Sequence, residues 1–102
     1  MVGKLEELVL AAAIRAGENA LASEIFERLV IGKPDAAFGA VYTTLTRLTT
    51  KGYVEERKKT DEAGRDRRTF SVTGIGRLAL IESYNATASI AGQPAWGACY
   101  VG

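Results

Sequence analysis

Residues Phe38 to Val54, FGAVYTTLTRLTTKGYV, narrow the choice of fold more than any other stretch. At 100° per residue, Phe38, Val41, Leu45 and Leu48 fall on one stripe of an amphipathic helix. The opposite face carries Gly39, Thr43, Thr46, Arg47 and Thr50, and no carboxylate occurs between Asp35 and Glu55. A helix face that is merely solvated normally mixes both signs of charge. One built of small hydroxyls with Arg47 and Lys51 suits close approach to phosphates and base edges. Gly52 is placed to end the helix as a C′ glycine, and Tyr53 and Val54 begin a strand-like segment.

The remaining elements follow by pattern. Lys4 to Arg15 reads as a first helix, with Leu5, Leu8, Val9 and Ala12 on one apolar stripe and Leu10 and Ile14 on another. Two apolar sides call for two partners. Ala20–Ile31 reads as a second helix that buries Ile25, Phe26 and Leu29, with Ser23 as a candidate cap. Gly32-Lys33-Pro34 is the turn, and Asp35 sits where the N-cap of the third helix belongs. Two strands, Tyr53–Lys59 and Arg67–Val72, enclose a turn-rich segment in which Gly64 is available for positive φ. Thr73 caps a fourth helix, Gly74 to Ala88, whose Ile75, Leu78, Leu80, Ile81 and Tyr84 face more than one side. The expected fold class is mainly α (α+β winged helix): a three-helix helix-turn-helix core, a two-stranded β-hairpin wing and a C-terminal helix. Residues 1–73 would form the winged helix-turn-helix, and 74–102 a C-terminal helix and tail for dimerisation.

Charge distribution points to a partner. The net charge is only +1, but residues 47–77 hold nine basic and five acidic residues, whereas residues 1–46 hold four and six. A local cationic excess binds polyanions even when the total is near neutral. With no histidine and a single cysteine, Cys99, the chain lacks the means for His-dependent catalysis, common zinc sites and intrachain disulfides. No nucleophile–base pair or phosphate-cradling glycine loop is evident, so no enzyme, metal or cofactor is expected. The cysteine usage and the lack of a signal peptide or membrane-spanning run favour a cytoplasmic location with no membrane partner.

Two motifs, in order, carry a resemblance. Gly39-Ala40-Val41-Tyr42-Thr43-Thr44-Leu45-Thr46-Arg47-Leu48 followed by Lys51-Gly52-Tyr53-Val54, and Gly64-Arg65-Asp66-Arg67-Arg68-Thr69-Phe70-Ser71-Val72-Thr73-Gly74-Ile75-Gly76, resemble the recognition helix and wing of the PadR-like transcriptional regulators. Leu5 to Ala11 is similar to the family's opening helix, so agreement spans roughly residues 4–80. The departures are Val41 for a usual Leu, Thr43 for a common Pro, Thr69 for a common wing aromatic, and Ala20-Leu21-Ala22 for a Tyr-Gly motif.

The resemblance implies a sequence-specific, dimeric DNA-binding repressor. Helix 36–51 would enter the major groove and the 54–72 wing would lie on the DNA backbone. Gly39, Ala40, Thr43 and Thr46 would approach bases. Tyr42, Arg47 and Lys51 would contact phosphates, joined by Lys58, Lys59, Arg65, Arg67 and Arg68 of the wing. One monomer reads a half-site, so the expected partners are a pseudo-palindromic operator and a second copy of the chain. The dimer contacts would come from Leu10, Ile14, Leu80, Ile81 and Tyr84. Trp96 and Tyr100 would either anchor the tail or stack on a small hydrophobic effector. The alternative is a winged-helix protein–protein interaction module that never touches DNA; an acidic or apolar third helix would mark it.

Overall fold

A computed structural model describes residues 3–91. Its elements run α1 (Lys4–Ala16), β1 (Ala20–Leu21), α2 (Ala22–Gly32), α3 (Phe38–Thr50), β2 (Val54–Thr60), β3 (Asp66–Val72) and α4 (Gly74–Ala91). The expected winged helix-turn-helix is present, with one addition. Ala20 and Leu21 form a short strand against β3, so the wing belongs to a three-stranded antiparallel sheet in the order β1-β3-β2. The second helix therefore starts at Ala22, and not at Ala20 as its apolar pattern suggests. Pairing of Ala20 with Phe70 and Leu21 with Thr69 satisfies backbone groups that a first helical turn would leave open.

Local chemistry sets the helix ends. Gly17 terminates α1 at φ 95°, and its N–H donates to the Ala13 and Ile14 carbonyls. Asn19 then takes φ 54° and donates its N–H to Ser71 Oγ at 2.8 Å, steering the chain onto β3. At the start of α2 the cap is Glu24, whose Oε1 accepts the Leu21 N–H at 2.7 Å; Ser23 lies within the helix. Asp35 does not cap α3, which begins at Phe38 after Ala37. The Lys33 ammonium instead reaches the Asp35 carboxylate at 3.1 Å and holds it below the usual carboxylate range. The expected caps at Gly52 and Thr73 do form. Gly52 adopts φ 82° beyond the end of α3, and the Tyr53 N–H returns to the Leu48 carbonyl at 2.9 Å.

The core comprises Val9, Leu10, Ala12 and Ala13 of α1, Ala20 of β1, Ile25 and Leu29 of α2, Val41, Leu45 and Leu48 of α3, Val54 and Phe70. Leu10 is fully buried, which removes it from any surface offered to a second subunit. The second stripe of α1 is thus consumed inside the domain at Leu10, while Ile14 remains half-buried. Phe38 is 45% exposed and continues the core outward as an aromatic run. Its ring meets Phe26 edge-on at 5.5 Å and stacks on Tyr42 at 6.5 Å, and Tyr42 meets Phe70 edge-on at 6.3 Å.

Thr73 joins the wing to α4. Its Oγ1 donates to the Gly52 carbonyl at 2.8 Å and accepts the Gly76 N–H at 3.0 Å, while its N–H donates to the Tyr53 carbonyl at 3.0 Å. Gly76 follows from this clasp. A Cβ there would lie 2.1 Å from the Tyr53 oxygen, so only glycine admits the approach. Farther along α4, Ser83 donates to Glu7 of α1 at 2.6 Å. Ala79 and Leu80 pack on the core, whereas Ile75, Leu78, Ile81 and Tyr84 remain more than half exposed.

Candidate nucleic-acid interface

The outer face of α3 is open. Gly39, Ala40, Thr43, Thr46, Arg47 and Thr50 are all exposed. Its threonines differ in a way the helical stripe alone does not disclose. Thr46 and Thr50 donate back to the Tyr42 and Thr46 carbonyls at 3.2 and 3.1 Å. Thr44 is buried and donates to the Ala40 carbonyl at 2.7 Å. Among the described residues Thr43 makes no such bond, so its hydroxyl keeps both donor and acceptor capacity toward solvent. Arg47 is exposed and forms no ion pair among the described residues.

Lys51 is differently placed. Its ammonium sits on Glu6 of α1 at 2.8 and 3.0 Å. Glu6 also accepts the Gly3 N–H at 2.9 Å. The Lys51 hydrogen bond, aided by that of Gly3, holds the Glu6 carboxyl below its ordinary value. In the free protein Lys51 ties the end of α3 to the start of α1 and is not presented to solvent as a free cation.

On the wing, the antiparallel register sets Lys58 opposite Arg68 and Lys59 opposite Arg67. Directly opposed residues point to the same face, so each rung carries two like charges, an arrangement that costs stability in isolation. The Lys58–Arg68 rung shares the face of Phe70 and lies toward α3. Arg68 Nη1 donates to the Tyr42 hydroxyl at 2.7 Å, and Arg68 Nε lies 3.2 Å from Glu56 Oε2. Tyr42 thus meets the wing in the free protein, with its hydroxyl at the seam between α3 and β3. The Lys59–Arg67 rung occupies the opposite face.

Asp61 builds the wing tip, a role that the sequence reading did not give it. Its Oδ1 accepts the N–H groups of Ala63 at 3.0 Å and Arg65 at 2.9 Å, and the Asp61 N–H donates to the Arg65 carbonyl at 2.8 Å. Gly64 supplies the positive φ, 80°, that the turn needs. The other oxygen, Oδ2, lies 3.3 Å from Arg67 Nε and 3.6 Å from Arg65 Nε. The Arg65 backbone bond, with Arg67 beside it, keeps the Asp61 carboxyl ionised below its usual range. The spacing from Asp61 to Gly64 was the available signal for this turn.

Of the residues expected at a dimer contact, Ile81 and Tyr84 are exposed, Ile14 and Leu80 half-buried and Leu10 buried. Ile75 and Leu78 join the exposed set. Trp96, Cys99 and Tyr100 lie outside the described residues. No helix among the described residues is long and apolar enough to cross a membrane.

No curated protein matches the sequence. Among solved structures, a PadR-like transcription factor from Bacteroides fragilis aligns with a TM-score of 0.72 and 24% identity, over 84% of this chain and 82% of that one. A PadR family transcription regulator from Clostridium difficile aligns at 0.69 and 18%, over 86% and 91%. The Aeropyrum pernix ORC1 protein in complex with DNA aligns at 0.64 and 23%, over 86% of this chain and 24% of that one. At these identities the likeness is one of fold. The family follows from the sequence: residues 20–82, from β1 into α4, match the transcriptional regulator PadR-like family, and the chain belongs to that family.

Proposed function

We propose that the protein is a dimeric, sequence-specific DNA-binding repressor that places α3 in the major groove and the wing on the phosphate backbone. One observation carries this reading. An exposed, acid-free helix face lies beside a sheet with like-charged rungs, Lys58–Arg68 and Lys59–Arg67, in which Glu56 and Asp61 face the arginines while Lys58 and Lys59 form no ion pair among the described residues. Phosphates between those cations would relieve the repulsion and release counterions. Gly39, Ala40 and Thr43 leave room for base edges, and Thr43 offers an uncommitted hydroxyl. Arg47, Lys58 and Arg68 would neutralise phosphates nearest the groove, while Arg65 and Arg67 would do so at the tip. The same fold occurs in ORC1, a protein solved with DNA. The exposed row Ile75, Leu78, Ile81 and Tyr84 on α4 is the surface for a second copy, which would set two α3 helices on a pseudo-palindrome.

An acidic or apolar α3 face would have favoured a protein partner, and the exposed face of Thr43, Thr46, Arg47 and Thr50 is neither. The test is a gel-shift series with fragments of the source genome at low and rising ionic strength. Binding to a subset of fragments, weakening steeply with salt, is the expected result. Blank lanes at low salt overturn the reading.

A further inference from the structure

The wing-tip carboxylate does two things at once. Asp61 Oδ1 shapes the turn through two backbone N–H groups, and Oδ2 faces the guanidinium groups of Arg67 and Arg65 at 3.3 and 3.6 Å. The turn itself needs only a side-chain oxygen acceptor, which asparagine supplies equally well. The negative charge is surplus to that geometry, and it stands within reach of two cations placed to meet phosphate.

We infer that Asp61 is an affinity-setting residue that attenuates the sequence-independent grip of the wing on a DNA backbone. This inference rests on the proposed DNA-binding reading and deepens it. The tip carries Arg65 and Arg67 beside Asp61, Glu62 and Asp66, and of these acids Asp61 is the one that faces the two guanidinium groups, so its carboxylate withholds about one unit of charge from the phosphates. A phosphate that approaches Arg67 must share it with Asp61 or displace it. The backbone term is thereby held down, and the base-reading face of α3 keeps a larger share of the total. A regulator needs that balance, because non-specific sites greatly outnumber operators.

Asp61→Asn separates charge from shape. Both turn hydrogen bonds keep their acceptor, so circular dichroism and the thermal midpoint should stay close to those of the parent chain. Affinity for a duplex of arbitrary sequence should rise by about three- to tenfold at low salt, from the loss of one negative charge several ångströms from phosphate. The slope of log K against log salt should steepen by about 0.9, the value for one additional phosphate contact. The double variant Asp61→Asn with Arg67→Gln should bring the slope back toward that of the parent. A parent chain that binds with a normal salt slope, beside an Asp61→Asn variant of unchanged slope, overturns the inference and leaves the DNA reading standing. A parent chain that binds no duplex at low salt overturns both.

Discussion

Arg68 of the wing donates a 2.7 Å hydrogen bond to the Tyr42 hydroxyl of α3, so a side-chain hydrogen bond joins the two parts of the proposed DNA-binding surface. Glu56 holds the other side of the same guanidinium at 3.2 Å. Tyr42→Phe removes the acceptor and keeps the ring in its aromatic run. Affinity for all duplexes should fall by about fivefold, equivalent to the ~1 kcal/mol of one hydrogen bond. Fluorescence anisotropy with labelled duplexes measures this. Unchanged affinity would show that Arg68 finds its phosphate without Tyr42.

Thr43 and Thr46 should behave differently. Thr43→Val removes a hydroxyl with no partner among the described residues, while Thr46→Val removes one already donating to the Tyr42 carbonyl. Valine keeps the β-branch, so the helix should be little disturbed. Selection of bound sites from a random library should show Thr43→Val altering preference at one base position by about 1 kcal/mol. Thr46→Val should alter it less.

Gly76→Ala places a methyl group on the Tyr53 carbonyl, 2.1 Å from its oxygen. The start of α4 must then move away from the wing, at a cost of about 3 kcal/mol. Differential scanning calorimetry should register a fall in Tm of more than about 10 °C. Gly74, where a Cβ meets nothing within 4 Å, is the control, and alanine there should be tolerated.

The Glu6–Lys51 pair gives stability an acid limb. Because Lys51 and the Gly3 N–H lower the Glu6 pKa from its ordinary 4.5, the folded chain binds fewer protons there than the unfolded one. The contribution is therefore full above that value and lost as pH falls below it, through the folded pKa. Its size is about 1 kcal/mol, since the Lys51 side chain is 41% exposed. Glu6→Gln should lower stability near neutral pH and flatten this part of the acid limb in urea titrations at pH 3–6; an unaltered limb would rule the pair out.

Ile81→Glu should convert the proposed dimer to a monomer. The side chain is 55% exposed within one subunit, so the fold itself should persist. Sedimentation velocity at micromolar concentration reads the change directly, and loss of two-half-site binding should accompany it.

Much of this architecture was legible because helical periodicity survives into the fold. The stripe Val41, Leu45 and Leu48 is fully buried, and the face opposite it is the exposed one. Gly52, Gly64 and Thr73 take the turn and cap positions their chemistry favours. What escaped was set by long-range partners. Ala20–Leu21 is too short to show alternation and becomes a strand only because β3 is there to pair with it. Leu10 reads as a surplus apolar residue until the other core elements enclose it. Lys51 reads as a phosphate contact until Glu6 claims its ammonium, and charge counting does not disclose that Asp61 shapes the turn as well as facing Arg67.

The small strand at Ala20–Leu21 also sets how distant parts of the chain are tied together. The hairpin of β2 and β3 and the helices close over short stretches of chain. The Asn19–Ser71 hydrogen bond spans fifty-two positions, so closing it costs more chain entropy than closing the β2–β3 turn. Because Ala20 and Phe70 are both core residues, pairing of the third strand and closure of the interior are one event in the structure, coupled across most of the domain's length.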